Sequence, residues 1–250
     1  STFSFNSSSC SSSLMKELKN WDNKTWLASE KYISSFHKFL KTKIKINKNT
    51  RILDIGCGRA NIIGFLHKKY KFTKKPIGID IIKNKNLRKN IIFKKIDAIK
   101  YVKNKNQTFD LILIKQTIHF FSKKKINALL NLCKKRLEKN GVILIFSLKT
   151  KNNQIPTFRL MKIKLNRSLK KDEILIKLVK KNLKKFSCST FKYKTIVKKS
   201  DYIKMLKNRF ISCLINVSKK EIIKGIREID NNYRNFIRFE DILECIMYKN

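Results

Sequence analysis

The sequence predicts an α/β fold in which helices cover both faces of a mostly parallel β-sheet. Five short runs rich in Ile, Leu and Val occur between residues 51 and 146, and helical patterns separate them. Continuously apolar strands that alternate with helices are typical of parallel sheets buried on both sides. The chain has 250 residues, 42% of them hydrophobic, which is enough for one large core. The predicted strands are 51–55, 77–80, 91–94, 111–114 and 142–146.

An amphipathic helix is predicted before the first strand, within an N-terminal region that spans residues 20–50. The first thirteen residues contain eight Ser and one Thr, and they lack the basic and apolar regions of a secretory signal. We therefore expect residues 1–19 to be a disordered leader rather than an export signal. The apolar residues that recur at helical spacing between 20 and 43 are Trp26, Ile33, Phe36, Phe39 and Leu40.

Lysine dominates the charge of the chain. Lys and Arg number 60 against 17 Asp and Glu, which gives a net charge of +43 and ordinarily indicates a polyanionic partner such as nucleic acid. However, 50 of the 60 basic residues are Lys, Ile occurs 36 times and Asn 24 times, whereas Ala occurs four times. Lys, Ile and Asn share A/U-rich codons, and Arg, the better residue for phosphate recognition, is scarce. We interpret most of the charge as compositional drift, with nucleic acid as the less favoured partner.

The cysteines and the apolar runs exclude two classes of protein. The six cysteines lie at least 25 residues apart, so the chain has neither a CxxC pair nor zinc-finger spacing, and we expect no metal. Scattered single thiols fit a reducing cytoplasm. The longest apolar runs, such as 142–146, are far too short to cross a bilayer, so we expect no membrane partner.

A helix is well marked between the fourth and fifth strands. Ser122 is a typical N-cap, and Asn140-Gly141 is a typical helix end. The predicted apolar face of this helix consists of Ile126, Leu129, Leu130, Cys133 and Leu137.

The remaining sequence predicts a cap-like region over 151–236 that helps to complete the sheet. Residues 151–199 contain sixteen basic and two acidic residues, so they form a basic docking surface or, as we favour, a helix with a solvated back. A strand is predicted at 187–197, helices at about 201–214 and 218–233, and a last strand at 239–248 within 237–250. We expect residues 20–250 to be one domain, with a core over 51–150. Within 151–199 we predict one helix with Lys on its other face. Its buried face is expected to consist of Ile174, Leu175, Leu178, Val179, Asn182 and Leu183.

The most informative stretch follows the first predicted strand. Asp54-Ile-Gly56-Cys-Gly58 leads into a helix, and open parallel sheets bind ligands at the carboxyl ends of their strands. Gly56 and Gly58 leave room for a ligand to approach the backbone. Asn61 stands where a dinucleotide fingerprint has its third glycine, and Asp54 stands where that fingerprint usually has an apolar residue. Both differences argue against a nicotinamide cofactor.

Two more carboxylates follow the second and third predicted strands. Asp80 comes 22 residues after Gly58, where a carboxylate can accept hydrogen bonds from ribose hydroxyls. Asp97 is placed to accept from an adenine amino group, and the neighbouring Ala98 leaves room for the ring. Each acid alone is an ordinary strand-end residue, but three at successive strand ends indicate a ligand site.

Five segments that occur in order resemble the motifs of class I S-adenosylmethionine-dependent methyltransferases: LDIGCG, IGID, KIDA, FDLILIKQTIHFF and LEKNGVILIF. The resemblance covers about residues 26–150 and implies a Rossmann-like, seven-stranded sheet, a helical cap inserted before the last strand, and S-adenosylmethionine as cofactor. It places Asp54 and Gly56 near the methionine part of the cofactor, Asp80 at the ribose, and Asp97 with Ala98 at the adenine. Asn61 departs from the small residue that many members have. The expected cofactor-binding residues are Asp54, Gly56, Cys57, Gly58, Asn61, Asp80, Ile81, Asp97, Ala98 and Lys115.

The resemblance also indicates where a methyl acceptor binds. His119 lies in the segment that lines the cofactor in family members that methylate small molecules, and it is our candidate for orienting an acceptor or taking its proton. Arg209 offers a fork to an acceptor carboxylate or phosphate. Packing in the core is the alternative role for each candidate. The expected substrate-binding residues are Trp26, Tyr32, His119, Tyr202 and Arg209, with Trp21 as a further candidate to close the cleft.

The sequence therefore predicts a cytoplasmic methyltransferase that acts on a small, anionic acceptor. The alternative acceptor is RNA or an acidic protein bound by the basic surface of 151–199. The Asn/Asp-Pro-Pro-aromatic tetrad common in nucleic-acid base methyltransferases is absent after the fourth strand, which weakens the RNA alternative. A third interpretation, a binding module without catalysis, has no support in the sequence, because the three carboxylates of the cofactor site are intact.

Overall fold

A computed structural model describes residues 25–104 and 106–250 and confirms the predicted fold class. Its strands are β1 (Ile52–Ile55), β2 (Ile77–Asp80), β3 (Ile92–Lys95), β4 (Phe109–Lys115), β5 (Leu137–Leu148), β6 (Ser187–Lys198) and β7 (Phe236–Lys249). They form one seven-stranded sheet in the order β3-β2-β1-β4-β5-β7-β6. Strands β1 to β5 are paired in parallel, whereas β7 is antiparallel to both of its neighbours. The five strands predicted between 51 and 146 all form.

The helices of the described residues lie on both faces of the sheet. They are α1 (Glu30–Lys41), α2 (Asn61–Tyr70), α3 (Ala98–Lys103), α4 (Lys123–Lys134), α5 (Arg159–Leu183), α6 (Lys199–Lys207) and α7 (Lys219–Asn232). Short 3-10 turns occur at Trp26–Ala28, Ile118–Phe120 and Ser212–Leu214. Over the ranges 25–104 and 106–250, none of the helices has both the length and the apolar character that a membrane crossing needs.

Helix α4 begins as predicted but ends earlier. The Ser122 hydroxyl accepts the N–H of Lys125, as expected of an N-cap. The predicted end at Asn140-Gly141 is wrong, because the helix ends at Lys134 and Leu137 pairs with Phe109 as the first residue of β5. The Asn-Gly pair lies inside β5, where the register against β4 shifts, and Asn140 has a φ of +65°. It therefore marks an irregularity in a strand rather than the end of a helix.

The helices at either end of the chain are shorter than predicted. Helix α1 begins at Glu30, because the Ser29 hydroxyl accepts the N–H of Tyr32 and caps it. The helix predicted at 201–214 ends at Lys207, and the chain then turns through Arg209, whose φ is +49°. Residues 20–24 of the predicted N-terminal helix, Trp21 and the serine-rich segment lie outside the described residues.

Two apolar cores lie on opposite faces of the sheet, and helix α5 contributes to both. Its first half adds to the core that α1, α2, α6 and α7 cover, and its second half adds to the core that α3 and α4 cover. The predicted apolar face of α5 is therefore partly wrong, since Ile174 is 50% exposed. The residues that α5 buries are Met161, Leu165, Leu169, Asp172, Ile176, Val179 and Leu183.

Helix α7 touches the aromatic core at a glycine, and we expect Gly225→Ala to destabilise the protein. A Cβ at Gly225 would lie 2.4 Å from ring atoms of the buried Phe158. Replacing Gly by Ala inside a helix ordinarily stabilises by about 1 kcal/mol. Overpacking here should outweigh that gain and lower the free energy of unfolding by about 1–3 kcal/mol in urea titrations. Adding Phe158→Leu should recover part of the loss, and a more stable Gly225→Ala protein would contradict this packing.

Candidate functional site

The loop between β1 and α2 is tied to the end of β2. The N–H groups of Gly56 and Cys57 donate to the carbonyl of Ile79, at 2.9 and 3.1 Å. Gly56 has a φ of +71°, and a Cβ there would lie 2.3 Å from a methyl carbon of Thr117, so only glycine fits. A Cβ at Gly58 would meet no atom within 4 Å. The loop therefore presents bare backbone toward open space.

The carboxylate of Asp80 fastens the same loop. Its Oδ2 accepts the N–H of Gly58 at 3.0 Å, and its Oδ1 accepts the N–H of Ile82 at 3.1 Å. Burial raises the pKa of Asp80, while the hydrogen bonds from Gly58 and Ile82 act to lower it. A carboxylate has about four acceptor positions, so each oxygen keeps capacity for a further donor. Asp80 thus positions the loop and remains able to bind a ligand hydroxyl.

A cavity of about 410 Å³ opens at the carboxyl ends of β1, β2 and β4. Its size falls within the range of small-molecule sites. All ten residues expected from the sequence to bind the cofactor line it, and so does Tyr32, which we expected at the acceptor. No group of three metal-ligating side chains occurs in the part of the chain that the structure describes. Lining residues that the sequence did not single out include Leu27, Ile62, Ile82, Asn84, Phe121 and Lys125.

Asp97 has a structural task as well as a place in the cavity wall. Its Oδ1 accepts the N–H of Lys100 at 3.0 Å and thereby caps α3. The neighbouring Ala98 is buried and also lines the cavity. A capping carboxylate keeps its second oxygen for other donors. The same residue can therefore begin a helix and face a ligand.

Asp54 changes charge near neutral pH. It is buried at the end of β1, and burial raises its pKa to about 7, with Lys115 acting to lower the pKa and Asp80 to raise it. The ammonium of Lys115 donates to Gln116 Oε1 at 2.8 Å and lies 5.1 Å from the centroid of the Tyr32 ring. The Asp54 side chain is ionised, and therefore attracts a cationic group strongly, only at a pH above its own pKa.

A second, smaller cavity of about 50 Å³ adjoins the first, because Leu27 and Gln116 line both. Its walls include Trp26, whose indole N–H donates to Asp241 Oδ2 at 2.8 Å. Asp172 of α5 also lines it, and burial raises the pKa of this carboxyl to about 6. The small cavity is thus a narrow extension of the site toward α5 and β7.

His119 lines the smaller cavity from the 3-10 turn after β4. Its ring centroid lies 4.0 Å from that of Phe120. Burial lowers the pKa of His119 to about 4, so the imidazole is neutral at pH 7. A group with so low a pKa is a weak proton acceptor at neutral pH. This environment favours an orienting role over that of a general base.

Tyr202 and Arg209 do not line either cavity. Tyr202 is fully buried, and its hydroxyl donates to the carbonyl of Pro156 at 2.5 Å. The guanidinium of Arg209 donates through Nε and Nη2 to the carbonyl of Val217, at 3.3 and 2.9 Å. Tyr202 lies on the buried face of α6, whereas Arg209 lies in the turn after that helix. Neither residue reaches a cavity, and the acceptor contacts expected of both are therefore corrected.

Comparison with known proteins places the fold. Residues 52–141 match the methyltransferase domain family, and the chain matches no curated protein. The plantazolicin methyltransferase BpumL, solved with a pentazolic desmethylPZN analog and SAH, is 17% identical over 94% of this chain and 90% of its own, with a TM-score of 0.53. The N-methyltransferase NodS from Bradyrhizobium japonicum WM9, solved with S-adenosyl-L-homocysteine, is 12% identical over 96% and 97%, with a TM-score of 0.51. YjhP from E. coli is 12% identical over 94% and 100%, with a TM-score of 0.55. At these identities the solved structures share the fold.

The family match falls on the part of the chain that builds the larger cavity. It begins with β1, contains the loop with Gly56 and Gly58, and ends within β5. This segment also carries Asp54, Asp80 and Asp97 at the ends of successive strands. Residues 52–141 therefore carry the likeness to the methyltransferase domain family, within a sheet of the fold that the solved methyltransferases share.

Proposed function

We propose that the larger cavity binds S-adenosylmethionine and that the methyl acceptor is a small molecule that reaches the smaller cavity. The observation that carries this proposal is the convergence of the ten expected cofactor-binding residues on one cavity of about 410 Å³. The continuous wall through Leu27 and Gln116 supports an acceptor bound beside the cofactor. BpumL and NodS, which share the fold, were both solved with S-adenosylhomocysteine (SAH).

The residues of the cavity match the parts of the cofactor. Asp80 keeps acceptor capacity on both oxygens for the ribose hydroxyls, and the open space beside Gly58 admits a ligand close to the backbone. The second oxygen of Asp97 suits the adenine amino group, and Ala98 leaves room for the ring. Ionised Asp54 suits the α-ammonium of the methionine part.

The catalytic task of the protein is mainly positioning. S-adenosylmethionine supplies a methyl group that its sulfonium already activates. The chain has to hold the acceptor in line and exclude water, and such orientation accounts for roughly 7–11 kcal/mol of a barrier in well-oriented systems. Leu27 and Gln116 stand where the two cavities meet, and neutral His119 can orient the acceptor by hydrogen bonding. This role needs no covalent nucleophile.

The position of the basic residues argues for a small acceptor over RNA. On α5, Leu165, Leu169 and Asp172 face the smaller cavity, whereas Lys162, Lys170 and Lys177 are exposed. Since α5 buries one face, a polyanion on its exposed lysines would lie away from the cavity. The anionic acceptor was expected because of Arg209. That expectation loses its main support, because the guanidinium of Arg209 donates to the backbone carbonyl of Val217.

Methyl transfer into a cell extract tests the proposal. With labelled S-adenosylmethionine, we expect label in small, ribonuclease-resistant species. The same extract with the Asp80→Ala protein should give at most about 1% of that label. Label in large material that ribonuclease removes would assign RNA as the acceptor instead.

Asp80→Ala should weaken S-adenosylhomocysteine binding by at least about 100-fold. The variant removes the charge-assisted contacts of one carboxylate, each worth about 1.5–3 kcal/mol, and frees the N–H of Gly58. Titration calorimetry measures the affinity, and thermal unfolding checks that the variant is folded. Asp201→Ala is the matched control, because Asp201 lies on the surface of α6 and pairs with exposed Lys204. Undiminished affinity in Asp80→Ala would refute the assignment of the cofactor site.

The affinity for S-adenosylhomocysteine should fall as the pH drops below 7. In the free protein the pKa of Asp54 is about 7, and only the ionised carboxylate attracts an α-ammonium. The favourable interaction is therefore complete above that pKa and is lost below it, at up to about tenfold per pH unit. Titrations between pH 5.5 and 8 should give a flatter profile for Asp54→Asn. An identical slope in the variant would show that Asp54 is not the group responsible.

A further inference from the structure

The smaller cavity carries charge of the opposite sign to the molecule as a whole. The chain has 60 Lys and Arg against 17 Asp and Glu, yet Asp172 and Asp241 line this cavity without any Lys or Arg. Together with Asp54 of the larger cavity, they are the buried carboxylates of the described residues. Buried negative charge is thus concentrated at the site.

Both acids occupy positions where the local pattern calls for an apolar residue. Asp172 lies between Leu169 and Ile176 on the buried stripe of α5. Asp241 lies between Phe239 and Leu243 on the buried face of β7, and the same core surrounds those two residues. A buried carboxylate costs several kcal/mol unless donors or counter-charges surround it. The Trp26 N–H and the charge of Lys115 offset part of this cost at Asp241, and the remaining cost points to a ligand.

The contacts of Asp241 leave one oxygen for that ligand. Oδ2 accepts the indole N–H of Trp26, whereas Oδ1 is buried and has no hydrogen-bond partner within 25–104 and 106–250. The whole residue is 1% exposed. Asp172 is 9% exposed and lines the same cavity. Buried polar atoms are nearly always paired, and a cationic N–H is the strongest partner for a carboxylate oxygen.

The size of the cavity restricts what enters it. At about 50 Å³ it is far smaller than the roughly 300–1,000 Å³ of a whole small-molecule site, so it admits only part of a ligand. A charged amino head group fits, while the rest of the acceptor would extend past Leu27 and Gln116. The walls are otherwise mostly apolar, including Leu148, Ile155 and Phe210.

We propose that the methyl acceptor is a small organic cation whose charged nitrogen enters the smaller cavity and donates to Oδ1 of Asp241, with Asp172 as a second negative charge. The proposal rests on the proposed function and specifies its substrate class. It replaces the anionic acceptor, for which Arg209 was the expected partner.

Four small probes test the charge preference on protein saturated with S-adenosylhomocysteine. Butylamine and benzylamine are the cations, and butyrate and benzoate are their anionic counterparts. Binding measured by ligand-observed NMR should favour each cation over its counterpart by at least about 10-fold. Anions that bind as well as the amines would overturn the proposal, and this comparison needs no variant.

Two variants locate the contact. Asp241→Asn keeps an oxygen for the Trp26 N–H but removes the charge, and it should weaken amine binding by at least about 10-fold. Asp172→Asn should weaken it by about threefold or more, and Asp201→Asn, on the surface of α6, should leave it unchanged. Amine binding that persists in both cavity variants would overturn the proposal.

The affinity for S-adenosylhomocysteine distinguishes failure of the proposed function from failure of the cationic acceptor. Both cavity variants should retain it within about twofold, which also shows that they are folded. If the unaltered protein binds no S-adenosylhomocysteine, the proposed function fails. If it binds S-adenosylhomocysteine but shows no preference for amines, only the cationic acceptor is refuted.

Discussion

The carbonyl of Ile79 accepts two hydrogen bonds from the loop after β1, and the geometry of the site depends on this contact. It fixes the loop with Gly56 and Gly58 against the end of β2, which brings Asp80 within hydrogen-bonding distance of Gly58. Parallel pairing of β1 with β2 and β4 places the carboxyl ends of these strands at one edge of the sheet. A ligand at that edge meets backbone, carboxylates and the segment after β4 together.

Lys115 connects the electrostatics of the two cavities. Burial raises the pKa of Asp54 in the larger cavity and that of Asp241 in the smaller one, and the positive charge of Lys115 acts to lower both. Its ammonium also lies over the rings of Tyr32 and Phe36, at 5.1 and 5.4 Å from their centroids. Contacts of this kind add roughly 0.5–2 kcal/mol and keep a cation in place. The same side chain therefore acts on a carboxyl group of each cavity.

The part of the site built from local sequence could be predicted, and the part built from distant segments could not. Asp54, Asp80 and Asp97 stand at strand ends, and strand order in a parallel sheet makes those ends converge. Asp172 and Asp241 carry no such local signal, because an acid within an apolar stripe resembles a solvated residue until the burial of its helix or strand is known. Tyr202 and Arg209 were misplaced for a related reason, since the sequence does not show that Tyr202 packs into the core or that the helix ends before Arg209.

The boundaries that were wrong also have a physical cause. Asn140-Gly141 is as typical of an irregular strand as of a helix end, and pairing of Leu137 with Phe109 decides between the two. The face of α5 was misjudged because Ile174 and Leu175 are apolar, whereas burial follows the stripe through Leu169, Ile176 and Val179. Tertiary contacts, which a single sequence does not reveal, determine both outcomes.

The position of β7 has a consequence for how the protein matures. Among the described residues, those that line the larger cavity lie between Leu27 and Lys125, whereas the wall of the smaller cavity includes Asp241 from the strand that inserts between β5 and β6. The hydrogen bond between Trp26 and Asp241 joins residues 215 positions apart. Since chains emerge from the ribosome amino end first, the described residues that line the larger cavity are synthesised before the strand that carries Asp241. The wall of the smaller cavity thus waits for nearly the last segment of the sequence.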